Sequence, residues 1–288
     1  MNMFSKNIKS LSQLLLAMLS AMILVSSCTT DADIPLPEVD PKIVVNCFIS
    51  DEVTIIKAVV FKSNPVFSDG DGNYPYTSNV EEDMYVVISN GNISAELIFN
   101  PETEFYEVGT DVFPLIAGGN YTLTVTAPDG ETVRANTTIP VDAPIVQSSS
   151  FQLEQISNDF YGEQTKVTIK QTLTDPSSSF DYYRFYYVLQ DQFMTNIYVS
   201  EDYADDNSLD GNLLYNEHEM TAYYGSDNPI LSVKAFVIRG SEEYQRYHKT
   251  VYNQSPGDPF SEPSIIYSNV EGGLGVFAGY RQVEVVIQ

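Results

Sequence analysis

Short segments of alternating apolar and polar residues run through the chain from residue 42 onward, and they constrain the fold more than any other feature. Alternation with a period of two places one side of a strand on a core and the other side in solvent. The first half of this region contains such segments at residues 42–49, 54–61, 84–89, 93–99, 104–108, 121–126 and 132–139. The spacing predicts a β-sandwich over residues 41–143.

Turn signals between these segments support a sandwich. Asn90-Gly91 separates two of the segments, and Pro128-Asp129-Gly130 separates two others, so both supply residues that tight hairpins favour. Tyr121 enters a late strand and resembles the tyrosine corner of immunoglobulin-like and fibronectin-like domains, in which the hydroxyl caps a loop. We therefore expect an immunoglobulin-like or fibronectin-like sandwich, with an ordinary buried tyrosine as the alternative interpretation of Tyr121.

A second β-rich region is predicted after residue 143. Pro140 and Pro144 mark a domain boundary, because proline has no amide hydrogen to donate to a strand ladder. Further strands are predicted at residues 165–173, 182–190, 193–199, 230–239 and 281–287. Ser241 and the apolar spacing that follows it predict one short helix over residues 241–253. The fold class is mainly all-β, with residues 144–288 as a second sandwich-like domain that carries the helix.

The N-terminal residues resemble a bacterial lipoprotein signal. Two lysines precede an apolar stretch, and residues 24–28 (LVSSC) end it with small residues and a cysteine. We expect residues 1–27 to be removed and Cys28 to carry the lipid that holds the protein on a membrane. A retained transmembrane helix is the alternative, but about 12 apolar-rich residues fall short of the ~20 that span a bilayer. Residues 28–40 are then an acidic stalk.

Charge and cysteine content exclude several classes of protein. The chain has 14 Lys and Arg against 39 Asp and Glu, a formal net charge of -25. Such a charge repels phosphate backbones and excludes nucleic acid as a partner.

If Cys28 carries lipid, Cys47 is the remaining cysteine of the two and cannot form an internal disulfide. Its place in an alternating segment predicts a buried small apolar residue rather than a nucleophile.

Sequence signals of catalysis are sparse. The chain has two histidines, His218 and His248, and it contains neither a Gly-x-Ser-x-Gly elbow nor a His-Glu-x-x-His helix. His248 lies on the apolar stripe of the predicted helix, so we expect a core or interface histidine. His218 lies in a polar segment without a second histidine nearby, which makes a zinc site unfavourable. We therefore predict that the protein is not an enzyme.

Residues 206–217 (DNSLDGNLLYNE) match the ligand spacing of a calcium loop. Oxygen-bearing side chains occupy the first, third and fifth positions, glycine the sixth and glutamate the twelfth. The candidate calcium ligands are Asp206, Ser208, Asp210, Asn212 and Glu217. The flanking segments look like strand and loop rather than paired helices, so an ordinary Asp-rich loop is the alternative. Calcium is the one cofactor that the sequence suggests.

Tyrosine is abundant in the chain, with 20 Tyr and 0 Trp. In the predicted strand 182–190, Tyr182 and Tyr186 lie on one face, and Tyr183 and Tyr187 lie on the other. Either both faces are covered by protein or one of them binds a ligand. These four tyrosines are therefore a candidate ligand surface, which by its lack of charge favours neutral or mixed ligands.

Two segments resemble a known family. Residues 258–277 (DPFSEPSIIYSNVEGGLGVF) resemble the closing signature of the Bacteroidetes lipoproteins catalogued as domain of unknown function 4249, and residues 41–46 (PKIVVN) resemble their opening strand. The resemblance implies an outer-membrane lipoprotein, commonly encoded beside TonB-dependent receptors, and it brings no catalytic residues. Asp31 and Asp33 resemble the export signal that sends such lipoproteins to the outer face of the membrane, with a merely solvated linker as the alternative.

Together these features predict a non-catalytic accessory binding protein that helps a TonB-dependent receptor to capture a nutrient. We expect it to be anchored to the outer membrane through Cys28 and to face the cell exterior. The alternative is an adhesin or structural surface module with no small-molecule ligand. Copurification with a receptor would favour the first interpretation, and self-assembly the second.

Overall fold

The computed structural model describes residues 40–63, 80–158, 160, 162–175, 181–191, 193, 195–205, 213–222, 230–252 and 265–288. Cys28, Asp31 and Asp33 lie outside these ranges. The described elements are β1 (Ile43–Ile49), β2 (Ile55–Lys62), β3 (Tyr85–Ser89), β4 (Ser94–Asn100), β5 (Phe105–Gly109), β6 (Asn120–Thr126), β7 (Thr132–Thr138), β8 (Ile145–Asn158), β9 (Gly162–Thr174), β10 (Tyr182–Asp191), β11 (Asn196–Asp205), β12 (Leu213–Ala222), β13 (Ile230–Gly240), α1 (Glu242–Tyr252) and β14 (Leu274–Ile287).

The predominance of strands confirms the mainly β fold class. Every strand expected from alternation overlaps an observed strand, and α1 lies within the predicted helix 241–253. The structure adds β8 and β12, which the alternation does not indicate because both segments are largely polar. No helix in the described ranges has the length and apolar character of a membrane span.

One large sheet runs through most of the described chain, in the order β11-β10-β13-β14-β1-β2-β5-β4-β3-β6-β7. Its neighbours are antiparallel except for β14 and β1, which pair in parallel from Val44 with Leu274 to Ile49 with Gly279. Gly275 lies in this ladder with a φ of 103°, and a Cβ there would overlap the backbone of Val45. The β1–β14 pairing therefore requires glycine at this position.

The large sheet turns back on itself around a first apolar core. A bridge joins Arg134 of β7 to Glu271, just before β14, with N···O distances of 3.1 and 2.7 Å. Cys47 lies in this core, 1% exposed, which confirms its predicted burial. The hydroxyl of Tyr121 accepts the backbone N–H of Ile116 at 2.7 Å, the loop contact expected of a tyrosine corner.

A second core lies between the other end of the large sheet and a three-stranded sheet in the order β12-β9-β8. Two sheets that face each other across apolar side chains form a sandwich-like arrangement. The boundary predicted at residue 143 lies between the two cores, but β14 pairs with both β1 and β13, so the ladder continues across it. Residues 40–288 form one compact unit, and their division into two domains stays a prediction.

The helix α1 covers part of the outer face of the large sheet. Its first turn is capped by the Ser241 hydroxyl, which accepts the backbone N–H of Tyr244 at 3.4 Å. Glu242 and Glu243 lie in the first turn, where the helix dipole favours negative charge. The helix packs on β14, β10 and β13, on the side opposite the second core. Here it forms a small third cluster of Ile238, Tyr244, Val276 and Ala278.

Candidate functional site

A pocket opens on the outer face of the large sheet beside α1, with a volume of about 380 Å³. Four strands and the helix contribute side chains to it, and most of these side chains are rings. The residues of this aromatic pocket are Phe48, Arg184, Tyr186, Phe236, Ile238, Tyr244, His248, Tyr280 and Gln282. Both the volume and the lining fall within the range of small-molecule sites in proteins.

Strand register explains why the pocket residues share one face. Residues directly opposite each other on antiparallel strands point to the same side of a sheet. Tyr186 of β10 is paired with Phe236 of β13. Arg184, two residues earlier, is paired with Ile238, which is paired in turn with Gln282 of β14. The alternation that sends odd-numbered residues of these strands into the second core therefore sends these five outward.

The helix contributes two rings that stand over the strand face. Tyr244 and His248 are one helical turn apart, and their ring centroids lie 4.4 Å from each other. His248 also stacks on Phe48 of β1 at 5.1 Å, with 27° between the ring planes. Burial, and to a smaller extent the nearby Arg184, lowers the pKa of His248 to about 3. At ordinary pH this ring is therefore a neutral aromatic surface.

The charge of Arg184 is balanced within the pocket wall. Its Nε donates to Glu201 Oε2 at 2.8 Å, and its Nη1 donates to the hydroxyl of Tyr244 at 3.0 Å. The guanidinium carbon lies 5.7 Å from the ring centroid of Tyr186, a cation–π distance. Burial alone would lower the pKa of Arg184, but Tyr244 and Glu201 more than offset it, and the pKa is raised. Arg184 thus serves as a flat, hydrogen-bonded part of the wall.

This combination of groups suits stacking rather than charge recognition. The rings of Tyr186, Phe236 and Tyr280 are half-buried, so part of each remains accessible. Ring faces of this kind pack against planar or ring-shaped ligands. The amide of Gln282, exposed at the rim, offers both a hydrogen-bond donor and an acceptor.

One protein family matches most of this chain. Its sequence model, described as Domain of unknown function (DUF4249), covers residues 29–285. The chain belongs to this family. The match confirms the resemblance to domain of unknown function 4249, and the matched range contains every residue of the aromatic pocket. A comparison with curated proteins gives no match.

In this DUF4249 chain, the four tyrosines of the predicted ligand surface occupy different environments. Tyr186 lines the aromatic pocket. Tyr182 lines a separate polar cleft, which also contains Asn120, Asn136 and Glu242. Tyr183 and Tyr187 are 1% and 0% exposed, so the structure corrects the prediction that they form part of an accessible surface. The reason is that their side of β10 packs against the three-stranded sheet within the second core.

A buried polar cluster holds β12 of the DUF4249 chain against β10 and β11. The hydroxyl of Tyr187 lies 3.0 Å from Gln171 Oε1 and 2.7 Å from Asn216 Oδ1. Asn216 Nδ2 donates to Asp202 Oδ2 at 2.9 Å. Burial would raise the pKa of Asp202, but hydrogen bonds from His218, Asn216 and a backbone N–H lower it overall. These contacts satisfy polar groups that would otherwise be costly between two sheets.

His218 belongs to the same cluster. Its Nε2 lies 2.8 Å from the hydroxyl of Ser200, and its Nδ1 lies 3.7 Å from Asp202 Oδ2. Its ring stacks on Tyr187 with a centroid distance of 5.1 Å. Serine, histidine and aspartate also form catalytic triads, but none of these three residues lines the aromatic pocket or the polar cleft. We therefore assign the cluster to the packing of the two sheets.

Of the five candidate calcium ligands, Glu217 is the one that lies within the described residues. This residue lies in β12, paired with Lys170 of β9, and its carboxylate is 3.3 Å from Lys170 Nζ. Residues 213–217 run along β9 as a strand, and the calcium site stays a prediction. Asp206, Ser208, Asp210 and Asn212 lie outside the described residues. Within the described ranges, no group of three or more His, Cys, Asp or Glu is placed to hold a metal ion.

Most of the aromatic pocket is not evident from the sequence. The available signal is in β13 (ILSVKAFVIRG), where apolar residues occur on both faces. A strand of this kind needs cover on both sides. The sequence therefore indicates that Phe236 and Ile238 are covered, but it does not indicate that β1, β14 and α1 supply the cover.

Proposed function

We propose that this DUF4249 protein is a lipid-anchored, non-catalytic binding protein of the outer membrane that holds a neutral, ring-shaped ligand in the aromatic pocket. The observation that carries the proposal is the arrangement of ring faces around an open space of about 380 Å³, with the one arginine of the wall paired to Glu201. Apolar pockets with a few placed polar groups are the usual form of a small-molecule site.

The balance of charge selects the class of ligand. A charged ligand would have to compete with Glu201 or Tyr244 for Arg184, whose Nε and Nη1 donate to these two residues at 2.8 and 3.0 Å. His248 adds no charge, because burial keeps its pKa near 3. A neutral ring can instead stack on the exposed parts of Tyr186 and Phe236 without breaking either contact. The pocket therefore favours a neutral aromatic or pyranose ring.

The location and partner of the protein are part of the same proposal. The signal-like residues 1–27 and Cys28 support a lipid anchor, and Asp31 and Asp33 support export to the outer face. The family resemblance supports a TonB-dependent receptor as the partner. In this arrangement the body is tethered beside the receptor, which raises the local concentration of captured ligand.

Two experiments on protein from the native membrane test the proposal. The first is a pull-down in mild detergent with a C-terminal tag, followed by mass spectrometry of the captured proteins. Recovery of a TonB-dependent receptor is the expected result. Recovery of the tagged protein alone would contradict the partner and favour a freestanding adhesin or structural module.

The second experiment is native mass spectrometry of the purified protein, which detects a bound small molecule by its added mass. We expect a neutral adduct on the unaltered chain and its loss from the double variant Tyr186→Ala/Phe236→Ala. The matched control is Tyr215→Ala, which removes a 72% exposed ring on the three-stranded sheet, and this variant should keep the adduct. An adduct that persists in the double variant would show that the ligand binds elsewhere.

A further inference from the structure

A second concave site, larger and chemically different, lies at the end of the large sheet that carries β6 and β7. This polar cleft has a volume of about 870 Å³. One wall carries Asn90, Asn120 and Asn136, and the other carries Asp142, Tyr182 and Glu242. Amides, carboxylates and one partly exposed tyrosine ring thus face a common space.

The three asparagines are oriented by contacts to their oxygen atoms. Asn90 Oδ1 accepts the backbone N–H groups of two residues in its own turn, at 3.1 and 3.0 Å. Asn120 Oδ1 accepts the Thr138 hydroxyl at 2.6 Å, and Asn136 Oδ1 accepts the Thr122 hydroxyl at 2.7 Å. Among the described residues, none accepts a hydrogen bond from the three amide nitrogens. This wall of the cleft therefore offers fixed N–H donors.

The opposite wall offers acceptors. Asp142 Oδ2 lies 3.5 Å from Arg239 Nη1, and Glu242 Oε1 lies 3.1 Å from Arg246 Nε. The two acidic side chains remain 56% and 50% exposed, so each carboxylate can still accept a hydrogen bond from a ligand. Within this wall, the buried Arg239 donates from Nε to Asp181 Oδ1 at 2.7 Å and from Nη1 to the backbone oxygen of Asp142 at 3.2 Å. The two walls are joined by the Thr137 hydroxyl of β7, which donates to the Ser241 hydroxyl at 3.3 Å.

The geometry points to a neutral carbohydrate chain as the ligand of this cleft. A sugar hydroxyl both donates and accepts, so it can use an amide on one wall and a carboxylate on the other. The ring of Tyr182 supplies a face on which a pyranose can stack. An anion would be repelled by the chain, whose formal net charge is -25, and an apolar ligand would leave the amides without hydrogen-bond partners. The cleft is thus complementary to a ligand that is polar but uncharged.

The test is calorimetric titration of the full chain in detergent with maltohexaose, cellohexaose, xylohexaose and chitohexaose. At least one of these probes should bind, and Asn120→Ala/Asn136→Ala should weaken that binding at least about tenfold, since two hydrogen bonds are lost. The matched control is Thr126→Ala/Thr132→Ala, which alters another cross-strand pair on β6 and β7 that does not line the cleft. This control should bind like the unaltered chain.

Two further arms make the result decisive. If the oligosaccharide affinity falls in Tyr186→Ala/Phe236→Ala and not in the asparagine double variant, the probe binds in the aromatic pocket, and the inference is overturned. Failure of all four probes, or equal affinity for the asparagine double variant and its control, would overturn the inference. Binding of spermidine in their place, abolished by Asp142→Asn, would also overturn it by showing a site for cationic amines.

Discussion

Replacing Gly275 by alanine tests the β1–β14 pairing on which the whole strand order depends. The backbone φ of Gly275 is 103°, and an added Cβ would overlap the carbonyl of Val45. Positive φ costs an alanine about 1–2 kcal/mol. Because the obstacle is backbone, the overlap can be relieved only by moving β14 away from β1. Loss of two or three ladder hydrogen bonds would add about 2–3 kcal/mol.

The matched control for this substitution is Gly91→Ala. Gly91 also has a positive φ, 86°, but an added Cβ there would meet nothing within 4 Å. Gly91→Ala therefore introduces the unfavourable backbone conformation without the steric overlap, and we expect it to lower the free energy of unfolding by about 1–2 kcal/mol. The difference between the two variants isolates the close approach of β1 and β14.

Urea unfolding followed by far-ultraviolet circular dichroism measures both variants. Gly275→Ala should lower the free energy of unfolding by about 3–5 kcal/mol, well beyond the control. Near-equal losses for Gly275→Ala and Gly91→Ala would refute the reasoning, because the parallel ladder would then have room for a methyl group.

Three further predictions concern single buried groups. Tyr187→Phe should lower the free energy of unfolding by about 1–3 kcal/mol in the same urea assay, because Gln171 and Asn216 would lose their contact with the hydroxyl. An unchanged free energy of unfolding would show that water satisfies that hydroxyl equally well. Burial lowers the pKa of His248 to about 3 in the folded protein. As pH falls, His248 is therefore protonated in the unfolded chain before it is protonated in the folded one, and the free energy of unfolding should fall between about pH 6.5 and pH 3. His248→Phe should reduce this loss in pH-dependent thermal unfolding, and an unchanged profile would contradict the burial. The lowered pKa of Asp202 gives stability that is present above the pKa of the unfolded carboxyl and is lost as pH falls through the lower folded value. Asp202→Asn should therefore weaken the dependence of the melting temperature on pH below about pH 4. A dependence equal to that of the unaltered chain would contradict a contribution of Asp202 to stability.

Strand positions could be predicted where one face of a strand is buried, and they were missed where it is not. The segments of β6 and β7 alternate clearly, because every second side chain enters the first core. β8 and β12 are the edge strands of a small sheet, and their polar composition leaves little alternation to detect. Local sequence reports burial of a strand, so strands that bury little are hard to find.

The candidate site shows the same limit at the level of single residues. Tyrosines on both faces of β10 made either face a possible ligand surface, and only the position of the three-stranded sheet decides that Tyr183 and Tyr187 are core. Tyr182 and Tyr186 then remain at the surface, in two different concavities. Alternation assigns residues to faces, but it does not say what covers each face.

The sequence by itself determined the mainly β class, most strand positions, the helix with its Ser241 cap and the family. These features depend on periodicity, capping and turn residues, all of which act over a few neighbouring positions. The tertiary structure decided that β14 pairs in parallel with β1, and that Phe48 and His248, 200 residues apart in the chain, stack in one pocket. Contacts of this kind depend on how whole sheets and the helix pack together, because no local pattern specifies which distant surface will bury a given face.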